Sequence, residues 1–287
     1  MAFLCVDIGG TNTLVGVGNG DFEIVKKVKS KDFLEDIGSC LEDVINPEKM
    51  EKIDRVAVAA AGPVDRQKGT FYPPNLPMDE VKIRDPLETF GEVDIVNDCA
   101  AAVLGEYHYG EHDTENLVYI TISSGIGAGA VIDGKLIEAE DGNFGEIGHM
   151  IVGDDGMECG CGLEDHWEAY CSGNSLPALA EEITGESFQD ARTLFEEYQN
   201  GNRSAEDTID RMQDINARAA ANVVNMYNPG KLVFGGAVAL NHPETVVEPL
   251  DRDLGDITVN GKPEVEVCEL EEEAVLHWLR AVCNGEK

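Results

Sequence analysis

The stretch FLCVDIGGTNTLVGVG (residues 3–18) decides the fold, because an apolar run ends in two glycines and a second apolar run follows directly. This order predicts two strands joined by a tight turn, unlike the nucleotide-binding motifs in which glycines open a helix. Residues 118–135, VYITISSGIGAGAVIDGK, repeat the same order. Two halves that begin alike predict a duplicated α/β fold with a cleft between two lobes.

The periodicity of the remaining sequence fills in both lobes. Apolar residues at helical spacing predict a helix over residues 30–45, and short apolar runs predict buried strands over 55–61 and 93–96. The further predicted elements are helices over 99–108, 175–183, 188–198, 205–227 and 271–282 and strands over 22–28, 231–234 and 265–270. We expect a small lobe over residues 1–112, joined by the C-terminal helix of residues 271–287, and a large lobe over 113–270.

Both glycine turns are candidate phosphate sites. Gly9-Gly10-Thr11-Asn12 can present backbone N–H groups and small polar side chains to a phosphate, and Ser124-Gly125-Ile126-Gly127 offers the same features. Asp7, at the end of the first strand, can hold a magnesium ion directly or through water. The alternative for the first turn is an ordinary glycine-rich hairpin with an exposed aspartate.

Two loops carry polar side chains suited to a substrate. The pair Asn97-Asp98 follows the strand over 93–96, at the kind of strand end where α/β folds place chemistry. Asp98 also precedes a predicted helix, so helix capping is its alternative role. Asn75, in the loop Pro73-Pro74-Asn75-Leu76, offers an amide to a substrate.

A dense group of metal-ligating residues lies between Gly142 and Gly173. Cys159-Gly160-Cys161-Gly162 can place two thiolates on one turn, and His149 and His166 can complete a tetrahedral site for zinc. Four protein ligands leave no open position, so the predicted zinc is structural. The alternative is buried apolar cysteines with surface histidines, whereas a disulfide would strain so short a loop.

Acidic residues dominate the charge of the chain: 56 Asp and Glu against 21 Lys and Arg give a net charge of −35. Such a surface repels phosphate backbones and anionic membranes, so we expect no nucleic-acid or membrane partner. A hydrophobic fraction of 43% excludes a disordered acidic tail. The even spread of acidic residues predicts adaptation to high salt, where screening weakens self-repulsion.

The eight cysteines do not indicate a disulfide framework in a chain of 287 residues whose first residues lack a signal-peptide pattern. The sequence also contains no apolar run near the length of a membrane span. We therefore expect a cytoplasmic protein with reduced thiols.

The motifs together resemble the ROK (repressor, open reading frame, kinase) family of sugar kinases, within the superfamily of actin, hexokinase and the heat-shock chaperone ATPases. The motifs are DIGGTN (7–12), AGPVD (61–65), Asn97-Asp98, GIGAG (125–129), GEIGH (145–149), CGCG (159–162) and Gly235-Gly236. GEIGH followed by CGCG is specific to this family. The resemblance covers nearly the whole chain and implies a two-lobed actin-like, ribonuclease H-like ATPase fold with duplicated mixed sheets and an interlobe cleft.

The resemblance also implies roles for these residues. Asp98 is then the general base that takes the proton of the attacking sugar hydroxyl, and Asp7 helps to place magnesium. The residues that face ATP are Gly9, Gly10, Thr11, Asn12, Ser124, Gly125, Gly127, Gly235 and Gly236. The residues that bind the sugar are Gly62, Asn75, Asn97, Asp98, Glu146, His149 and Glu168. His149 also binds zinc through its other ring nitrogen, so the zinc fixes a sugar-binding loop. Without the resemblance, the two glutamates would be assigned as solvated surface carboxylates.

The chain departs from the family pattern at several positions. His166 replaces the third cysteine of Cys-x-Cys-Gly-x-x-Gly-Cys-x-Glu, and Asp165 replaces the glycine before it. We expect His166 to serve as the fourth metal ligand, with Cys171 as the alternative. Ser123-Ser124 stand where Gly-Thr is usual, and Ala128 replaces a glycine. The family's regulators begin with a winged helix, and we expect none here because the first strand starts at Phe3.

The resemblance implies ATP-dependent phosphorylation of a hexose by a homodimer, with the 6-hydroxyl of glucose as the leading acceptor. Fructose, mannose or an N-acetylated hexosamine are alternative acceptors. A non-catalytic sugar-binding regulator is disfavoured by the missing DNA-binding module and the net charge, and a chaperone-type ATPase is disfavoured by the Cys-Gly-Cys cluster. The expected cofactors are ATP, catalytic magnesium and structural zinc.

Overall fold

The computed structural model describes residues 2–19, 21–42, 53–73, 78–140, 143–270 and 273–284. The chain forms two compact units. Unit 1 contains Met1–Glu111, Leu136–Phe144 and Glu273–Lys287, and unit 2 contains His112–Lys135 and Gly145–Glu272. The segment Leu136–Phe144 therefore belongs to unit 1, whereas the sequence-based boundary places it in the large lobe.

Unit 1 contains eight strands and five helices among the described residues. Its strands are β1 (Ala2–Ile8), β2 (Asn12–Asn19), β3 (Asp21–Lys29), β4 (Ile53–Ala60), β5 (Val64–Asp65), β6 (Thr70–Phe71), β7 (Val81–Lys82) and β8 (Glu92–Asn97). Its helices are α1 (Ser30–Glu35), α2 (Ile37–Glu42), α3 (Arg84–Leu87), α4 (Asp98–Tyr109) and, at the end of the chain, α12 (Ala274–Asn284).

The main sheet of unit 1 explains the apolar run at the start of the chain. Its described strands have the order β3-β2-β1-β4-β8, with β1, β4 and β8 parallel and β2 antiparallel to β1. Leu4 and Val6 on β1 belong to one buried cluster, and Phe3 and Cys5 belong to a second one with residues of α12. Because alternate residues point to opposite faces, a strand covered on both sides needs a continuous apolar run.

Unit 2 repeats this architecture and adds helices. Its strands are β9 (Leu117–Ile122), β10 (Ile126–Ile132), β12 (Lys231–Gly235), β13 (Glu264–Val267) and β11 (Lys135–Leu136), whose second residue is counted in unit 1. Its helices are a 3₁₀ turn over Ile147–His149 and α5 (Trp167–Cys171), α6 (Leu176–Thr184), α7 (Ala191–Gln199), α8 (Arg203–Tyr227), α9 (Ala237–Asn241), α10 (Pro243–Val246) and α11 (Glu248–Ile257).

The sheet of unit 2 has the order β11-β10-β9-β12-β13 among the described strands, with β9, β12 and β13 parallel and β10 antiparallel to β9. Each unit thus combines a hairpin with two further parallel strands, as the repeated sequence pattern predicts. The long helix α8 packs against α5, α6, α7 and α11 and completes the core. Across the described ranges, no helix combines the length and apolar character needed to cross a bilayer.

Two local predictions differ from the structure. The helix predicted over residues 30–45 is two short helices, α1 and α2, because the chain leaves helical geometry at Asp36, which has φ −150° and ψ 76°. Residues 43–45 lie outside the described part of the chain. The sequence also misses the small sheet β5-β6-β7, whose two-residue strands are too short to show a period of two.

Candidate active site

Two carboxylate residues of unit 1 lie at the carboxyl ends of parallel strands. Asp7 is the next-to-last residue of β1, and Asp98 comes directly after β8. Strand β4 lies between these strands and pairs in parallel with both. The carboxyl ends of parallel strands meet at one edge of a sheet, so both acids lie at that edge. A strand end of this kind is the usual place for a ligand in α/β folds.

Asp7 has a strongly perturbed pKa. Burial raises the pKa of Asp7 to about 7, and the nearby charge of Asp98 contributes to this rise. A carboxyl group with such a pKa gains from a bound cation, because a divalent ion offsets both the burial and the repulsion. Asp7 therefore fits the magnesium role that the sequence predicts for it.

Asn97, and not Asp98, caps helix α4, which corrects the capping alternative for Asp98. The side-chain oxygen of Asn97 accepts hydrogen bonds from the N–H groups of Cys99 (2.9 Å) and Ala100 (3.2 Å). Its amide nitrogen donates to the carbonyl of Gly62 (3.1 Å), so it braces the turn after β4. Asp98 is the first helical residue, and its Oδ1 also accepts from Cys99 N–H (2.8 Å). Asn97 thus positions its neighbour, and the second N–H of its side-chain amide remains to donate to a sugar hydroxyl.

A buried serine, Ser30, supports the turn after β1 through two hydrogen bonds. Ser30 donates from its hydroxyl to the carbonyl of Gly9 (2.6 Å) and from its backbone N–H to the carbonyl of Thr11 (3.0 Å). The N–H group of Gly9 donates within the turn to Asn12 (3.1 Å). Gly9 is therefore a poor phosphate donor, and Gly10 and Thr11 are the better candidates among the predicted residues.

The second predicted phosphate turn is shorter than expected. Strand β10 begins at Ile126 and pairs Gly127 with Thr121, so Gly127 lies within the strand. The turn itself consists of Ser123, Ser124 and Gly125. It is closed by a hydrogen bond from Ser123 N–H to the carbonyl of Gly125 (2.9 Å).

Glu168 contacts this second turn from helix α5. One carboxylate oxygen accepts the N–H of Ile126 (2.8 Å). The same oxygen lies 2.6 Å from the position that a Cβ on Gly125 would take, so a side chain at that position would displace the glutamate. Glu168 is therefore part of the turn's support and not a solvated surface carboxylate.

The GEIGH segment lies directly on the backbone of β10. A Cβ on Gly145, whose φ is 95°, would meet the carbonyl oxygen of Ala128 at 1.8 Å, and one on Gly148 would meet that of Ile126 at 2.3 Å. The N–H of Ala128 donates to the carbonyl of Gly145 (2.9 Å). This close approach fixes the intervening Glu146, whose pKa is raised chiefly by burial.

Gly235 and Gly236 end strand β12 where neighbouring side chains leave no room for a Cβ. At Gly235 a Cβ would lie 2.1 Å from the hydroxyl oxygen of Tyr119, and at Gly236 it would lie 2.5 Å from the hydroxyl oxygen of Thr121. Gly236 also has a φ of 84°. The two glycines therefore form a segment of backbone without side chains, which suits the predicted contact with the adenosine of ATP.

The four predicted metal ligands come together in unit 2. Their ligand atoms, from His149, Cys159, Cys161 and His166, all lie within 4.8 Å of one another. The two histidine Nδ1 atoms are 3.2 Å apart. Cys159 Sγ lies 3.8 Å from His149 Nδ1, and Cys161 Sγ lies 3.3 Å from His166 Nδ1. A tetrahedral zinc with ordinary bond lengths gives separations of about 3.3 Å between nitrogens and about 3.6 Å between nitrogen and sulfur. The residues therefore fit zinc.

The surroundings of these ligands support the same assignment. The other ring nitrogen of His149, Nε2, lies 3.8 Å from a carboxylate oxygen of Glu146. The histidine can therefore bind a metal through Nδ1 while Nε2 faces the predicted sugar-binding residue Glu146. Cys171 is fully buried, and its thiol donates to the carbonyl of Met212 (3.5 Å). Cys171 lies outside the group, whereas His166 lies within it. Asn75 lies outside the described residues.

A second grouping of possible metal ligands does not suit a divalent cation. His112, Glu266 and Glu269 have atoms within the same 4.8 Å limit. The ammonium group of Lys231, however, lies 3.0 Å from both carboxylate oxygens of Glu266. A lysine already supplies the positive charge that a metal would bring.

Comparison with known proteins assigns the family. The model of the ROK family matches residues 3–277, and the chain belongs to this family. A glucokinase of Pyrobaculum calidifontis is 31% identical over 255 residues, which cover 88% of this chain and 84% of that protein. An N-acetylmannosamine kinase of Salmonella typhi is 31% identical over 254 residues, which cover 84% of each chain.

A solved structure extends the similarity to the fold. The ROK family glucokinase from Streptomyces griseus, determined in complex with glucose and AMPPNP, matches with a TM-score of 0.81 and 25% identity. The match covers 99% of this chain and 100% of that one. The predicted family and the predicted actin-like fold class are therefore confirmed.

Proposed function

We propose that the chain is an ATP-dependent sugar kinase that phosphorylates the 6-hydroxyl of glucose. The observation that carries this proposal is the pair of carboxylates, Asp7 and Asp98, at the carboxyl edge of the parallel strands of unit 1. Asp7 suits a cation, because its pKa is raised by burial and by Asp98. Asp98 is the first residue of helix α4, which Asn97 already caps. Glucokinases among the relatives support glucose as the acceptor.

Asp98 is the general base in this proposal. It accepts the proton of the sugar hydroxyl as the hydroxyl oxygen forms a bond to the γ-phosphorus of ATP. The bond between that phosphorus and its bridging oxygen breaks, and ADP leaves with the electron pair. A magnesium ion held by Asp7 would neutralise charge on the phosphates. Among the chain's own groups, Gly10, Thr11, Ser124 and Gly125 are assigned to the phosphates, and Gly235 and Gly236 to the adenosine.

We assign sugar binding in unit 2 to Glu146, His149 and Glu168, and in unit 1 to Gly62 and Asn97. Carboxylates accept hydrogen bonds, and imidazoles accept or donate them, in fixed directions, which suits sugar hydroxyls. The GEIGH segment packs on β10, so Glu146 and His149 are carried by rigid backbone. Zinc bound by His149, Cys159, Cys161 and His166 would hold this segment in place as a structural ion.

The acceptor is tested by sugar-dependent release of ADP. Purified protein is assayed with glucose, mannose, fructose and N-acetylmannosamine, each with ATP, ADP or polyphosphate as the donor. We expect the highest kcat/KM with glucose and ATP. A higher value with N-acetylmannosamine, the acceptor named for one relative, would replace glucose while leaving the kinase intact. Sugar binding without any turnover would favour the regulator.

A further inference from the structure

The segment that carries the metal ligands is a small hairpin with Asp165 at its centre. Isolated β-bridges join Ile151 to His166 and Glu158 to Glu164, and the two thiols lie at the turn beyond. Asp165 has a φ of 61°, a left-handed conformation that glycine adopts freely and aspartate tolerates. This is the position where the family motif has a glycine. An aspartate with such a backbone suggests that its side chain makes compensating contacts.

The contacts of Asp165 cross the hairpin in several directions. Its carboxylate Oδ1 accepts hydrogen bonds from Gly156 N–H (2.8 Å) and from the hydroxyl of Tyr170 (2.5 Å). Its backbone carbonyl accepts the N–H of Gly153 (3.1 Å), and its own N–H donates to Met157 (2.9 Å). One residue therefore ties both strands of the hairpin to helix α5, immediately before the predicted ligand His166.

Tyr170 and Arg211 continue the connection to helix α8. Tyr170 is fully buried, and its ring fills the space that a Cβ on Gly153 would need, at 2.2 Å. The guanidinium carbon of Arg211 lies 5.7 Å from the centre of this ring. Arg211 also donates to Asp154 (2.8 Å) and to Asp155 (3.0 Å), which precede the ligands in the hairpin. The hairpin is thus fastened to two helices by side chains that are not metal ligands.

We propose that Asp165, Tyr170 and Arg211 are positioning residues that hold Cys159, Cys161 and His166 in metal-binding geometry. The inference rests on the proposed metal site and adds the reason why an aspartate replaces the family glycine. Asp165→Gly relaxes the backbone but removes the carboxylate, so any loss of metal affinity comes from the side chain. Tyr170→Phe removes the hydroxyl alone. Asp165→Asn keeps a side-chain oxygen that can accept both hydrogen bonds.

The test measures the metal directly in the full-length protein. Zinc release to a chromogenic chelator is timed for the wild type and each variant, and the visible spectrum of the cobalt-substituted protein reports the ligand geometry. We expect Asp165→Gly and Tyr170→Phe to release zinc about 10-fold faster or more and to weaken the thiolate-to-cobalt bands. Asp165→Asn should stay close to the wild type.

A matched control separates positioning from general destabilisation. Asp190 caps α7 in the same unit and accepts hydrogen bonds from the N–H and the hydroxyl of Thr193 (2.8 Å each). Asp190→Ala should lower the Tm without changing zinc release. Unchanged zinc release in Asp165→Gly and Tyr170→Phe would overturn the inference, as would equal acceleration in Asp190→Ala. A wild type that binds no zinc at all would instead overturn the metal site itself.

Discussion

At the scale of single residues, Asp7 occupies a position that favours cation binding but lowers the stability of the metal-free fold. The residue follows five buried residues of β1 and is itself only partly exposed. Its pKa is raised to about 7, so near neutral pH the folded protein holds a carboxyl group that is partly protonated. Such a group is well suited to a cation and poorly suited to an isolated charge.

Asp7→Asn should stabilise the metal-free fold at alkaline pH. The folded pKa of Asp7, about 7, lies above its usual value of 3.8. The folded state therefore binds more protons than the unfolded state between these values, and stability falls as the pH rises through that window. Above pH 7 the substitution removes a penalty on the order of 4 kcal/mol, whereas near pH 4 it should change little. Urea unfolding at pH 5 and pH 8.5 without added magnesium measures the difference.

Asp7→Asn should also lose kinase activity, since an amide is a weaker magnesium ligand than a carboxylate. An Asp7→Asn protein that is equally stable to the wild type at both pH values would contradict the assigned burial. Exposed Asp79→Asn, in the same unit, serves as the control and should shift neither quantity.

At the scale of elements, the start of helix α4 depends on Asn97. Its side chain caps the helix and also bonds to Gly62 after β4, so it joins two strand ends. Asn97→Ala should destabilise unit 1 by about 1–2 kcal/mol and lower kcat through displacement of Asp98. Asn97→Ser restores the cap without the bond to Gly62 and should recover most of the stability but not the activity. Urea unfolding and steady-state kinetics test both variants, and full activity in Asn97→Ala would refute the positioning role.

At the same scale, the fold of unit 2 also depends on the contact between the GEIGH segment and β10. Gly145→Ala places a Cβ against the backbone of Ala128, where nothing flexible can give way, so we expect a loss of about 3 kcal/mol or more and a raised KM for glucose. Gly185→Ala is the matched control, because its φ of 76° is also left-handed but no atom lies within 4 Å. It should cost only about 1 kcal/mol. Equal effects of the two substitutions in urea unfolding would contradict the packing argument.

The sequence predicts the elements of this fold better than their contacts. The DIGGTN strand, the hairpins and helix α8 follow from periodicity and turn residues, because these signals are local. The metal group also follows from spacing, since three of its four ligands lie within eight residues.

Other features depend on residues far apart in the chain and escape a sequence pattern. Ser30 supports the turn of Gly9, and Glu168 supports that of Gly125, yet neither serine nor glutamate is unusual in its local sequence. Asp165 gave a signal, its departure from the family glycine, but only the coordinates show Tyr170 as its partner.

At the scale of the whole molecule, charge is the distinctive property. A net charge of −35 on 287 residues implies strong self-repulsion at low ionic strength. We expect the Tm to rise by about 5 °C or more between 0.1 M and 2 M KCl, because salt shortens the screening length to a few ångströms. Sucrose, which is excluded from protein surfaces but does not screen charge, is the control. A Tm that does not respond to KCl would contradict adaptation to high salt.

The predicted homodimer belongs to the same scale and stays a prediction. Light scattering coupled to size-exclusion chromatography tests it, and the salt concentration should be varied there as well, since repulsion between copies weakens with screening.

The most direct test of Asp98 as the general base is the turnover of Asp98→Asn. Initial rates of glucose-dependent ADP release are measured for this variant, for the wild type and for Glu92→Gln, an exposed acid on β8, the strand that ends directly before Asp98. We expect a fall in kcat of about 10²–10⁴-fold in Asp98→Asn alone, with unchanged zinc content and unfolding free energy close to that of the wild type. A kcat within about threefold of the wild type would show that Asp98 is not the base.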